Sequence, residues 1–165
     1  MDKMEYARLY EIAETQEKLL RFKKFSNKDA WELGSFMVEK ANEKQIEVAI
    51  SIRKLNGAVL FQHLMENTGL DNQNWMQRKF NTVSLTELSS FRAWAMLGMR
   101  GESVASRGLS ELDYAFCGGG FPVRLETGEI VAVAIISNLP HMEDHQTVVD
   151  MLAEWLQIAE VPTVL

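Results

Sequence analysis

The sequence predicts an α+β fold: an antiparallel sheet flanked by helices on both faces, in a single domain over residues 1–165. Three observations predict it. Ile46, Val48, Ile50 and Ile52 alternate with Glu47, Ala49, Ser51 and Arg53, the period-two pattern of a strand with one buried face. Asn56-Gly57 follows, a dipeptide that tolerates the two positive φ angles of a tight hairpin, and Ala58–Leu64 reads as the return strand. Further on, Phe121–Leu125 and the continuous apolar run Ile130–Ser137 are separated only by Glu126-Thr127-Gly128-Glu129, which makes a second hairpin whose later strand lies centrally with both faces covered. The order ααββααββα, with both strand pairs as hairpins, excludes a doubly wound parallel sheet.

The first helix spans Asp2–Phe22, with apolar Tyr6, Leu9, Ile12, Leu19 and Leu20 spaced among charges. Lys23 and Lys24 near its end suit the helix dipole. Ser26 with Asp29 three residues on resembles a capping box. The helix it opens carries Ala30, Leu33, Met37, Val38 and Ala41 on one face and ends near Asn42. Residues 71–84 and 86–100 read as two more helices, the first capped by Asp71, and residues 106–120 as a loop with a helical turn near Leu112. The last helix starts near Pro140, and its apolar residues Val148, Leu152, Trp155 and Ala159 step by three or four.

Composition narrows the function classes. Hydrophobic residues are 47% and charged residues 24%, the balance of a globular chain. Seventeen Lys and Arg against 23 Asp and Glu give a net charge of −6, a poor match to the polyanionic backbone of nucleic acid. The longest uncharged run, Ile130–Met142, contains Pro140 and is too short to span a bilayer. No secretory apolar block opens the chain, and the single cysteine, Cys117, excludes an internal disulfide. A cytoplasmic protein with neither nucleic-acid nor membrane partner is expected.

Three segments carry candidate chemistry. In the stretch from Asp71 to Asn81, the side chains of Asn74, Arg78 and Asn81 share one helix face, while Trp75, Met76, Phe80 and Val83 form the apolar face. Lys79 falls inside the apolar arc, so it must snorkel, find a buried partner, or face a pocket. Arg78 and the N–H groups of the helix start suit a carboxylate or phosphate. The same stretch also reads as an ordinary capped amphipathic helix. Gly118-Gly119-Gly120 supplies positive φ angles, close backbone approach or exposed N–H groups, though it is no nucleotide motif. Cys117 beside it reads as a buried, inert thiol. His141 and His145 stand four apart, but Met142 and Asp144 occupy the places where metal-protease motifs need glutamate, so a structural role is preferred and no metal site is expected. His63 reads as a half-buried sheet residue.

Taken in order, Asp29-Ala30-Trp31-Glu32-Leu33-Gly34, Asp71-Asn72 through Trp75, Arg78-Lys79 and Asn81, Ser89-Ser90, Gly118-Gly119-Gly120-Phe121-Pro122, and Ser137-Asn138-Leu139-Pro140 with Glu143-Asp144-His145 resemble the haem-degrading-domain group related to GlcG and HbpS, and its short stand-alone branch in particular. The resemblance covers residues 10–158. It implies a profilin-like antiparallel sheet with helices on both sides, assembled into a homo-oligomer, and makes haem a possible cofactor. Relatives in this branch often carry His before the glycine triplet, where this chain has Cys117; thiolate ligation would then replace imidazole. His145, Cys117 and His63 are the candidate haem ligands on this reading.

Three functions compete. The first is binding of a small ligand or anion by Asn72, Asn74, Trp75, Arg78, Lys79 and Asn81 with the backbone of Gly118, Gly119 and Gly120. The second is haem binding or degradation. The third is a structural oligomer in which the helix within residues 1–22 docks on a neighbour. No nucleophile, base and acid set is identifiable, so the sequence makes no case for an enzyme.

Overall fold

The computed structural model describes residues 1–165. Its elements are α1 (Lys3–Leu19), β1 (Arg21–Phe22), α2 (Asn27–Glu43), β2 (Ala49–Lys54), β3 (Val59–Leu64), α3 (Leu70–Thr86), α4 (Ser90–Arg100), a 3-10 turn (Ala105–Arg107), β4 (Gly120–Leu125), β5 (Ile130–Ser137) and α5 (His141–Leu156).

The strands form one five-stranded sheet in the order β1-β4-β5-β2-β3, with β5 in the centre. Both hairpins form, and β5 joins them by pairing antiparallel with β2. The sheet is mixed rather than wholly antiparallel, because β1 adds to β4 in parallel through Arg21↔Arg124 and Phe22↔Leu125. Two residues are too few to show a period, so this strand is invisible to pattern reading. It also ends α1 at Leu19, so Lys23 and Lys24 lie beyond the helix end they were expected to stabilise.

The β2–β3 turn differs in detail from the expected one. Only Gly57 takes a positive φ (97°); the side chain of Asn56 instead accepts the Ala58 N–H. Gly57 N–H donates to the carbonyl of Lys54, and Lys54 N–H to that of Ala58. This is a turn closed by a glycine bulge rather than a two-residue hairpin.

Helices cover both sheet faces. On one, α2 and α5 bring Leu33, Met37, Val148 and Leu152 against Ile50, Ile52, Phe121, Ala134 and Ile136. On the other, α3 lays Met76, Phe80 and Val83 on Ala49, Val133 and Ile135. Each such aliphatic or aromatic side chain contributes about 1.5–3 kcal/mol by leaving water. The second layer corrects the reading of β2. Ala49, Ser51 and Arg53, expected to face solvent, are buried beneath α3.

Local capping follows the sequence in part. Ser26 and Asp29 form the reciprocal capping box of α2. The start of α3 is capped by Gly69 rather than Asp71, with the Asn72 side chain accepting the Gly69 N–H at 3.0 Å. The following helix begins at Ser90 rather than Thr86, because Ser89 caps it and Glu87 ends α3 in the left-handed conformation. At one end of the sheet α1 packs on α4 of its own chain through Leu9, Ala13, Phe91 and Ala95, and Glu17 accepts the Ser89 N–H and pairs with Arg92 at 3.0 Å.

Candidate functional site

The site begins with Lys79. Its place in the apolar arc of α3 buries it to 2% exposure, and an ammonium there must be matched. It is matched twice: Nζ donates to Asp144 Oδ2 at 2.8 Å and to the carbonyl of Ile136 at 2.9 Å. Asp144 stands in the first turn of α5, where its other oxygen accepts the Leu139 N–H at 3.0 Å. Burial pushes the Asp144 carboxyl up to about 6, against the pull of the Lys79 ammonium.

The glycine run explains how the lysine is seated. Gly119 has φ +122°, and a Cβ there would fall 2.3 Å from the Ile136 carbonyl oxygen and 2.6 Å from Lys79 Nζ. A Cβ on Gly118 would fall 1.9 Å from the carbonyl oxygen of His141. The run therefore provides close approach. Two of its N–H groups already have acceptors: Gly118 faces His141 Nδ1 at 3.5 Å and Gly120 donates to Ser90 Oγ at 2.9 Å. That corrects the expectation of bare N–H groups at these two positions.

Beside the Lys79–Asp144 pair lies a crevice of about 410 Å³, within the usual range for small-molecule sites. It is lined by α3 through Asp71, Asn72 and Trp75, by the loop before β4 through Phe116 and Cys117, by α5 through His141, by Trp94 of α4 and by the segment Ser137-Asn138-Leu139. Asn138 has φ 120°, a conformation that strains a residue with a Cβ. Its side chain is pinned between the Glu47 carbonyl and Asn72 Nδ2.

The residues nominated from sequence divide. Asn72, Trp75 and Lys79 meet at the crevice, with Gly119 packed behind the lysine. Arg78 does not join them. Its guanidinium stacks over the Trp75 ring at 4.2 Å and donates to the carbonyl of Glu111. Asn81 likewise donates to the carbonyl of Asp113, so these two side chains tie down the loop after α4. Asn74 lies on the other flank of α3.

The haem-ligand candidates divide too. His145 is fully buried, not at the crevice: Nε2 bonds Gln16 Oε1 at 2.7 Å and the ring stacks on Phe91 at 4.4 Å. Burial lowers its pKa to about 3, so it stays neutral. His63 is exposed on β3, the sheet edge, rather than half-buried. Cys117 lines the crevice, but burial pushes its thiol up and keeps it protonated despite the nearby Lys79. The imidazole actually in the crevice is His141, edge-on to Trp94 at 4.6 Å and held below its usual pKa by burial and by Lys79.

Sequence reasoning did not nominate Trp94, Phe116, Ser137 or Asn138, and it gave His141 and Asp144, which also line the crevice, a structural role. Asp144 was legible as an acidic residue at a helix start, which the dipole alone explains. Only the unmatched lysine on α3 asked for it.

Comparisons with known proteins agree with this architecture. The family of haem-degrading HbpS-like proteins matches residues 25–153. The chain is 37% identical over 139 residues to the UPF0303 protein YE1367 of Yersinia enterocolitica, covering 84% of this chain and 82% of the relative. The crystal structure of the Ybr137w protein superposes with a TM-score of 0.83 at 29% identity, over 90% of this chain and 87% of that one. A haem complex of PduOC shares the fold at a TM-score of 0.64 and 18% identity, over 84% and 97% of the two chains. This chain belongs to the HbpS-like family.

Proposed function

We propose that the protein binds a small planar ligand in the crevice beside Lys79 and Asp144. The observation that carries this reading is a buried ion pair at the edge of a concave site lined by two tryptophans. Trp75 and Trp94 offer flat apolar contact, while Asn72, Asn138 and Ser137 offer a hydrogen-bonding edge. At neutral pH the Lys79 charge is matched by Asp144, and Asp71 adds a carboxylate. The crevice then has no surplus positive charge for an anion. Protonation of Asp144 on descending through about 6 releases the lysine charge. Anionic ligands therefore bind more tightly on the acid side.

Titration with benzoate, followed by indole emission on either side of the Asp144 midpoint, tests this. Saturable quenching that strengthens at the lower pH and disappears in Trp75→Ala is the expected result. Emission indifferent to benzoate at both pH values rejects the reading.

Haem is the second reading. One observation favours it: a neutral imidazole, His141, stands in the crevice against Trp94. The donors in the crevice are the His141 imidazole and the Cys117 thiol, which would have to lose its proton against its burial; His145 and His63 lie elsewhere. His141 would hold the iron, which would supply the redox chemistry. Nδ1 faces the Gly118 N–H at 3.5 Å, so to hold iron through Nε2 the imidazole would have to carry its proton on Nδ1 and give up that contact. A Soret shift on haemin titration that is lost in His141→Ala would put this reading ahead of the first.

A further inference from the structure

On the opposite flank of α3 lies a second concavity, a groove of about 380 Å³ between β3 and the first turns of the helix. Leu70, Gln73, Asn74 and Gln77 line it from α3, and Val59 and Gln62 from β3. Between them sits Arg53 of β2, only 3% exposed.

Arg53 is a buried cation without a carboxylate. Nε donates to Ser51 Oγ at 3.1 Å, one Nη to Gln77 Oε1 at 2.7 Å and the other to Gln62 Oε1 at 3.2 Å. All three acceptors are neutral. Burial accordingly presses the Arg53 pKa downward, with no acidic group to oppose it. A guanidinium has five N–H groups, so one on each Nη has no acceptor within the chain. Leaving such a charge uncompensated is unfavourable, and a ligand anion would remove the penalty.

We propose that this groove is a second binding site, built on Arg53, for a small organic carboxylate with an apolar tail. The forked guanidinium suits a planar carboxylate better than a point charge does. Gln73 and Asn74 carry amides that can donate to the remaining lone pairs. The α3 N-terminus, where Gly69 caps without a side chain, adds partial positive charge on the same side. A single cation balances a carboxylate; a phosphate dianion would leave charge unmatched. Leu70 and Val59, 82% and 53% exposed at the groove, give the tail its apolar contacts. The site is separate from the crevice, since Asp71, Asn72, Trp75 and Lys79 leave α3 on its other flank.

The test uses isovalerate and the full chain labelled with ¹⁵N. Isovalerate should move the Arg53 Nε–Hε and the Gln62 and Gln77 side-chain amide resonances saturably. Gln77→Glu seats a carboxylate on the same guanidinium and should weaken isovalerate at least about tenfold. This variant keeps the packing and so serves where Arg53→Met fails to fold. Absence of saturable shifts up to roughly 50 mM, where even weak sites fill, overturns the proposal. So does equal affinity in Gln77→Glu, or inorganic phosphate outcompeting isovalerate. A change of mass by light scattering in Gln77→Glu would mean that a neighbouring copy fills the groove, which also overturns it.

Discussion

Two buried cations lie on the flanks of α3 and are treated in opposite ways. Lys79 leaves the helix and meets a carboxylate, Asp144, contributed by α5. Arg53 rises from the sheet and meets the neutral oxygens of Ser51, Gln62 and Gln77 and, at 6.0 Å, the face of the Phe80 ring. The first arrangement cancels its charge within the chain, so its crevice recognises shape and flat apolar surface. The second carries its charge outward into a groove. Net charge at a site is thus decided by the partner of the buried cation, and the cation alone does not reveal it.

Exchanging the partners tests that contrast. Asp144→Ala leaves the Lys79 ammonium buried and unpaired and should cost about 3–5 kcal/mol. In urea this moves the midpoint down by more than about 1 M. Asp144→Asn keeps an acceptor, recovers part of that loss, and makes the crevice resemble the groove; benzoate should then bind at neutral pH as it does to the parent protein at acid pH. A midpoint unchanged by Asp144→Ala would mean that the fold does not depend on this ion pair.

Gly119→Ala strikes the same pair through the backbone. The positive φ and the crowding against Lys79 Nζ should destabilise by about 1–3 kcal/mol, visible in thermal unfolding.

Acidity separates the two sites further. The folded-state pKa of Asp144 is raised to about 6, above the ordinary carboxylate range. Between those values the folded chain holds a proton that the unfolded chain does not, so this group's contribution to stability grows as pH falls towards about 4. His145 acts in the opposite sense. Its folded-state pKa is lowered to about 3, so the stability of the neutral ring is complete above its ordinary value and is lost as pH falls towards 3. Each contributes a slope of up to about 1.4 kcal/mol per pH unit. In His145→Phe the acid limb of a stability profile should flatten, while isovalerate affinity at the groove should not change from pH 7 down to about 6.

The smallest effect is a gain. In an Asn81→Ala background, where the Gln77 Nε2 bond to Asn81 Oδ1 is already absent, Gln77→Glu gives Arg53 the partner it lacks and should stabilise by about 1 kcal/mol, raising Tm by about 2–4 °C. A fall in Tm would show that the guanidinium is already well matched by its amides.

Whatever depends on neighbours within a few residues was determined by the sequence itself. The Ser26–Asp29 box, both hairpins and the central place of β5 follow from turn chemistry and apolar period, which act locally. The misplacement of Lys79 in an apolar arc was legible in the same way, as a demand without an address. Tertiary structure decided the rest. Asp144 answers Lys79 from 65 residues away, the loop after α4 draws off Arg78 through the carbonyl of Glu111, and α3 closes over Ser51 and Arg53. A period-two pattern shows that alternate residues face opposite sides. It does not show whether the polar side will meet water or another layer of protein, because that depends on where a distant helix comes to rest.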